Sequence, residues 1–262
     1  MSGALAGKVA LVTGGGSGLG REIALEYAEE GAAVVVVSTN AAENDAVTAE
    51  IAAGGGRAVA AAADVRDERQ LGALVTRTVA ELGAIDVAVA AAGIDVREAR
   101  SREERHVRHV TLEQWQRVID VNLTGTFLTI RAVLPPMIDR GAGSIVTFTS
   151  GTVTTPLPGL AAYVSSKSGI EALTCVVALE VADAGVRVNS LQPGGRTNTP
   201  FFPDWTGEDE RAAMHEPRII RAAATFLASD ESLAVTGTSV VAADWNRERG
   251  LRLCACPACA DA

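Results

Sequence analysis

Apolar residues along this chain fall into two alternating rhythms. Short runs rich in Val, Ile and Ala, namely "KVALVT", "AVVVVS", "RAVAAAADV", "IDVAVAAAG", "GSIVTFTS", "VRVNSLQP" and "TSVVAAD", read as strands. Between them lie segments such as "GREIALEYAEEG" and "DERQLGALVTRTVAELG", whose apolar residues recur at helical spacing and which end at glycine. A parallel strand covered on both faces carries a nearly unbroken apolar run, so this alternation implies a parallel sheet with helices on both sides. The expected fold class is α/β: one doubly wound domain with a seven-stranded parallel sheet over residues 1–250, then a C-terminal extension at 251–262.

In such a sheet the ligand sits beyond the carboxyl ends of the strands, where the strand order reverses. The first strand-to-helix turn is therefore the place for a phosphate cradle. It reads "TGGGSGLG", Thr13 to Gly20, with Gly14, Gly18 and Gly20 spaced as G-x-x-x-G-x-G. Positions without side chains let backbone N–H groups and the positive end of the next helix approach a pyrophosphate. A glycine run that merely ends a strand is the plainer alternative; its place between an apolar strand and an amphipathic helix argues against it.

Composition narrows the function further. Hydrophobic residues make up 48% of the chain and aromatics only 4%, so Ala, Val, Leu and Ile fill the core. The net charge of -9 disfavours nucleic acid and anionic membrane surfaces as partners and favours a small-molecule substrate. No stretch reads as a signal peptide or as an unbroken apolar run of membrane-spanning length, which points to the cytoplasm. Three of the four cysteines, Cys254, Cys256 and Cys259, crowd the tail without a fourth ligand, so no metal site is expected.

The stretch "YVSSK" sets a phenol and an ammonium on one helix face, four residues apart. Such pairs are commonly surface decoration, but only two lysines (Lys8, Lys167) and two tyrosines (Tyr27, Tyr163) occur in the whole chain. A neighbouring ammonium favours the phenolate, which would bring Tyr163 nearer the working pH of a general acid or base.

Taken in order, these motifs resemble the short-chain dehydrogenase/reductase family over residues from about Lys8 to Asp244. Thr13, Gly14, Gly18 and Gly20 match its T-G-x-x-x-G-x-G turn, "VNLTG" supplies Asn122, and "TFTS" supplies Ser150, thirteen residues before Tyr163. The resemblance implies a Rossmann-like fold and an NAD(P)-dependent oxidoreductase interconverting a ketone and a secondary alcohol. It implies Asn122, Ser150, Tyr163 and Lys167 as the catalytic set, with Tyr163 exchanging the proton. Ser150 would bond the substrate oxygen, Lys167 would lower the Tyr163 pKa and grip the nicotinamide ribose, and Asn122 would hold a relay water. Cofactor contacts are expected at Thr13, Gly14, Ser17, Gly18, Leu19 and Gly20 in the turn, and at Asp64 and Val65 by the adenine. Ala91, Gly93, Tyr163 and Lys167, and then Pro193 and Gly194 of "QPGG", complete them. The family commonly assembles into dimers or tetramers through the helices carrying Asn122 and Tyr163, so a homo-oligomer is expected. A nucleotide-binding redox sensor without turnover is the alternative, suggested by the departures that follow.

Where the family shows Asn-Asn-Ala-Gly, this chain has "AAAG" at Ala90 to Gly93, which predicts weaker cofactor binding or a looser central strand. At the end of the second strand stand Ser38, Thr39 and Asn40. No carboxylate there repels a 2'-phosphate and no Arg attracts one; hydroxyls at Ser38 and Thr39 tip the expectation towards NADP over NAD. The run "VREARSREERHVRH" reads as a solvated loop, with Arg97, Arg100, Arg102, Arg105 and Arg108 as the alternative partners of an anionic ligand or a neighbouring subunit, and His106 and His109 as surface residues. Phe201, Phe202 and Trp205 either line an apolar pocket or fasten a short lid, and the threonine for the nicotinamide carboxamide is either Thr197 or Thr199.

Overall fold

A computed structural model describes residues 3–96 and 99–251. Arg97 and the cysteine tail, with Cys254, Cys256 and Cys259, lie outside the described residues. Seven strands form one parallel sheet: β1 (Val9–Thr13), β2 (Ala33–Ser38), β3 (Arg57–Ala62), β4 (Val87–Ala90), β5 (Gly143–Phe148), β6 (Val186–Gln192) and β7 (Ser239–Val241). Each matches one of the apolar runs. The third to the seventh stop short of the ends of those runs: beyond the fourth, fifth and sixth, Ala91, Gly93, Thr149, Ser150 and Pro193 line a crevice, and beyond the seventh a helix begins at Ala242.

The helices are α1 (Gly18–Glu29), α2 (Ala41–Ala53), α3 (Glu68–Leu82), α4 (Leu112–Ile119), α5 (Gly125–Arg140), α6 (Ala161–Glu180), α7 (Glu208–Ala212), α8 (Arg221–Ala228) and α9 (Ala242–Glu248). The strand order is β3-β2-β1-β4-β5-β6-β7. Order therefore reverses between β1 and β4, and the crevice for a ligand opens above their carboxyl ends.

Side-chain alternation along the strands sorts the core into two layers. Ala10, Val12, Val34, Val36, Val87 and Val89 face α1 and α8, burying Ile23, Tyr27, Ala224 and Leu227. Leu11, Val35, Val37, Ala88, Ile145 and Val188 face α3, α5 and α6, with Leu74, Val133, Met137 and Val177. Small strand residues let these helices lie close to the sheet, the packing that the scarcity of aromatics requires.

Between α4 and α5 the chain makes one π-helical turn, Asp120–Thr124, so 112–140 is one continuous helix. By length and composition this helix is apolar enough to cross a bilayer. Its apolar residues are interspersed with charged ones rather than unbroken, so it is not the unbroken apolar run of membrane-spanning length whose absence the sequence predicts. In the fold it lies against the sheet and against α3 and α6.

Candidate active site

The glycine turn is shaped by close backbone contacts. Gly14 has φ +68°, and a Cβ there would lie 2.8 Å from the Ala92 backbone; a Cβ on Gly20 would come within 2.3 Å of the Gly14 carbonyl oxygen. Only glycine allows this fold of the turn. The N-cap of α1, Ser17, makes no side-chain cap bond, leaving the first-turn N–H groups for a ligand. A pyrophosphate fits this cradle by its polarity, which the uncapped N–H groups of α1 supply.

From this turn a cleft of about 620 Å³ runs towards β5, β6 and the start of α6. Its walls bring together Gly14, Ser17, Gly18, Leu19, Gly20, Ala91, Gly93, Ser150, Tyr163, Lys167, Pro193 and Gly194. Thr13, Ser38, Thr39, Asp64, Val65 and Asn122 are not on them. Thr13 is buried and its hydroxyl donates to the Val89 carbonyl at 3.3 Å. Val65 is buried against Gly125. The Asp64 carboxylate is gripped by Arg66, at 3.0 Å and 3.1 Å from its Nε, and this holds it below the usual carboxylate range.

Ser38 is a similar case. Its Oγ lies 2.7 Å from Asn44 Oδ1 and accepts from the Asn40 N–H at 3.1 Å, so its one proton is already engaged. Asn44 is fully buried and donates to the carbonyls of Ser38 and Ala61, tying the ends of β2 and β3. Thr39 is exposed.

Ser150 leaves β5 and caps the following turn, accepting from the Thr152 N–H at 3.3 Å. The plain reading of a strand-end hydroxyl is thus true of it, and it also stands near enough to the Tyr163 phenol to favour the phenolate. Tyr163 and Lys167 share one face of α6, with Nζ 5.6 Å from the ring centroid. Lys167 is buried, and its Nζ donates to the Phe148 carbonyl at 2.8 Å.

Burial decides both titrations. It pushes the Tyr163 phenol up to about 12, against a smaller lowering by Ser150, and brings the Lys167 ammonium down to about 8. The expected lowering of the tyrosine by its lysine does not appear here: desolvation raises the phenol, and Ser150 is what opposes it. A Lys167 titrating near 8 can hold or release a proton close to neutrality.

Asn122 sits in the π-helical turn and is fully buried. Its Oδ1 accepts from the Ile94 N–H at 2.8 Å, and its Nδ2 donates to the Ile94 carbonyl at 2.9 Å and to Ser166 Oγ at 3.0 Å. Its own carbonyl accepts from the Thr126 hydroxyl at 2.6 Å. One side chain therefore clamps the loop after β4 to α6. A Cβ on Gly93 would lie 3.5 Å from Asn122 Oδ1 and 3.7 Å from Lys167 Nζ, so the clamp and the lysine meet under that glycine.

Above the cleft, Phe201 and Phe202 line its wall while Trp205 donates its indole N–H to the Ala99 carbonyl at 2.9 Å. The aromatic cluster both walls the pocket and fastens the lid. Phe201 lies 5.2 Å from Tyr163, centroid to centroid. Thr197 and Thr199 both line the cleft, whereas Asn198 is exposed and accepts from Arg211 in the lid. Sequence reasoning missed Asp95 and did not separate Arg105 from its neighbours: these two form a buried ion pair in the cleft wall. It also passed over His215, buried against Gly195, where burial pushes the imidazole pKa down. No local pattern marks any of the three. Among the described residues no cluster of three or more His, Cys, Asp or Glu side chains forms a metal site.

A phosphate cradle at the switch point of a parallel sheet, opening onto a cluster of Ser, Tyr and a buried Lys, defines the class of nicotinamide-dependent oxidoreductases. The family model described as short chain dehydrogenase matches residues 8–209. The chain is 36% identical over 247 residues to the cyclohexanol dehydrogenase of Acinetobacter sp. strain SE19, covering 92% of this chain and 95% of that one. It is 37% identical over 248 residues to the 2,5-dichloro-2,5-cyclohexadiene-1,4-diol dehydrogenase of Sphingobium indicum, covering 92% and 96%. A solved structure from Beutenbergia cavernae, which holds NADP at low occupancy, superposes with a TM-score of 0.81 at 35% identity, over 91% of this chain and 96% of that one. This chain belongs to the short-chain dehydrogenase/reductase family and is an NAD(P)-dependent oxidoreductase acting on a small molecule.

Proposed function

We propose that Tyr163 is the proton donor and acceptor of a reaction interconverting an alicyclic ketone and its secondary alcohol. The observation that carries this reading is the convergence of Ser150, Tyr163 and Lys167 on one wall of the cleft. When bound, NAD(P) supplies the hydride chemistry. Ser150 donates to the substrate oxygen and stabilises the charge that develops there. Tyr163 delivers a proton to that oxygen in reduction and takes it back in oxidation. Lys167 binds the nicotinamide ribose and offsets the phenolate charge. Asn122 holds Gly93 and α6 at the distance this requires, and its turn is the place for a relay water.

Gly14, Ser17, Gly18, Leu19 and Gly20 would hold the pyrophosphate, Asp64 and Val65 the adenine, and Pro193 and Gly194 the nicotinamide side. NADP remains the proposed preference, resting on the lack of a carboxylate at Ser38 and Thr39; the engaged proton of Ser38 makes this a small margin. The alicyclic choice draws on the relatives named above and on the apolar wall of Leu157, Leu160, Phe201 and Phe202. Phe127, Ile138, Val176 and Leu179 of α5 and α6 are exposed, which supports a homo-oligomer joined through these helices. A cytoplasmic location follows from the nicotinamide pool on which the reaction draws.

The test is the loss of NADPH and NADH absorbance over a ketone panel, with Tyr163→Phe as control. Turnover abolished in the variant is expected, with a lower KM for NADPH. Equal turnover in the variant would remove the role of Tyr163, and binding without any turnover by the native chain would favour the redox-sensor alternative.

A further inference from the structure

The cleft wall carries one device that the proton and hydride chemistry does not use. Asp95, two residues past Gly93, is 3% exposed; its Oδ1 accepts from the Val96 N–H at 2.8 Å, and its other oxygen meets the Arg105 guanidinium. Arg105 closes the short turn Glu103–Arg105, and its side chain keeps 11% exposure. Its Nε–H finds no acceptor among the described residues. Gly159 lets the loop before α6 approach this turn: a Cβ there would lie 3.3 Å from Arg105 Cβ. The ion pair is thereby held in the wall of the same cleft as the apolar side chains Leu157 and Leu160, which flank Gly159.

Taking two opposite charges out of water costs several kcal/mol per ion, and an apolar pair of like volume would join the same loops without that cost. A pair kept in a cleft wall points to a ligand that uses its polarity. The charge balance says which ligand. The charged side chains lining the cleft are Asp95, Arg105, Lys167 and Arg196. Arg105 is neutralised by Asp95, Arg196 shares Glu210 with Arg102, and Lys167 donates to the uncharged Phe148 carbonyl. Among the described residues, the guanidinium at this part of the wall is thus already matched by a carboxylate, so the Asp95–Arg105 pair offers polarity without net charge to what lies against it.

We infer that the Asp95–Arg105 pair is a specificity determinant that hydrogen-bonds a second, uncharged oxygen of the substrate. The preferred substrates are then neutral cyclic diols or hydroxyketones, with anionic analogues rejected. This rests on the dehydrogenase reading above and deepens it. A hydroxyl can donate to Asp95 and accept from Arg105; a carbonyl can accept from Arg105 alone.

The test compares oxidation of cyclohexanol, the 1,2-, 1,3- and 1,4-cyclohexanediols and a cyclohexanol carboxylate. The native protein is set against Asp95→Leu/Arg105→Met, a replacement of a buried ion pair by apolar side chains of a kind proteins commonly tolerate. The native enzyme is expected to prefer at least one diol and to leave the carboxylate unused. In the double variant kcat/KM for that diol should fall about tenfold while cyclohexanol changes less than about twofold. Arg105→Gln, which keeps a donor, should fall in between. Parallel loss on both substrates, or no loss on either, overturns the inference and makes the pair a loop crosslink. Preference for the carboxylate overturns it also. A native protein that turns over none of the panel removes the alicyclic-alcohol reading on which the inference rests, an outcome distinct from the others.

Discussion

Replacing Lys167 with Met should make the protein more stable and less active. Lys167 is 4% exposed, and burial brings its pKa from the ordinary lysine value of 10.5 to about 8. At ~1.4 kcal/mol per pH unit, keeping that ammonium charged costs the folded state about 3 kcal/mol. The hydrogen bond to the Phe148 carbonyl, lost in the variant, returns about 1 kcal/mol, so the net gain of Lys167→Met near neutrality is about 2 kcal/mol. Between pH 8 and 10.5 the unfolded chain binds the proton more tightly than the folded one, so native stability rises with pH across that window. The cost is fully present below pH 8, is roughly halved by pH 9.5 and vanishes above 10.5, and the advantage of the variant shrinks in step. Urea unfolding of both proteins at pH 7 and pH 9.5 reads the effect. A variant no more stable than the parent at pH 7, or a gap that does not narrow at pH 9.5, would refute the argument. Lost turnover alongside gained stability is what a buried functional charge predicts.

Asn122→Ala removes three hydrogen bonds at a fully buried side chain and strands the Ile94 amide and the Ile94 carbonyl, while Ser166 Oγ keeps its bond to the Tyr163 carbonyl. A loss of about 3–5 kcal/mol in urea unfolding is expected, which Asn122→Asp, lacking both donors, does not rescue; a loss under about 1 kcal/mol would show that the clamp is not needed. Val176→Glu places a charge on the apolar face of α5 and α6, where Val176 is 51% exposed. Light scattering should show a smaller species with its own fold intact by circular dichroism; an unchanged mass would move the subunit contact elsewhere.

Much of this molecule is legible in its sequence because local rules suffice for it. Seven apolar runs at strand spacing, separated by helical ones, imply a parallel sheet, since each must be buried on both faces. The turn from Thr13 to Gly20 is readable because backbone contacts at Gly14 and Gly20 leave no room for a Cβ. Ser150, Tyr163 and Lys167 are readable by their order and spacing, Tyr163 and Lys167 through a single helix face.

What the tertiary structure alone decided lies between residues far apart in the chain, or in the solvent they lose. Asn122 and Ile94, 28 positions apart, and Asn122 and Ser166, 44 apart, meet only when α4 and α6 dock. Ser38 reads as a free hydroxyl for a phosphate until the fold sets it against Asn44. Arg105 looks like its exposed neighbours Arg102 and Arg108 until the loop before α6 closes over it and Asp95. The titration of Tyr163 and Lys167 follows the same division. Spacing places an ammonium near a phenol, but the dielectric around them belongs to the packed structure, and here desolvation moves both groups in the direction opposite to their mutual attraction.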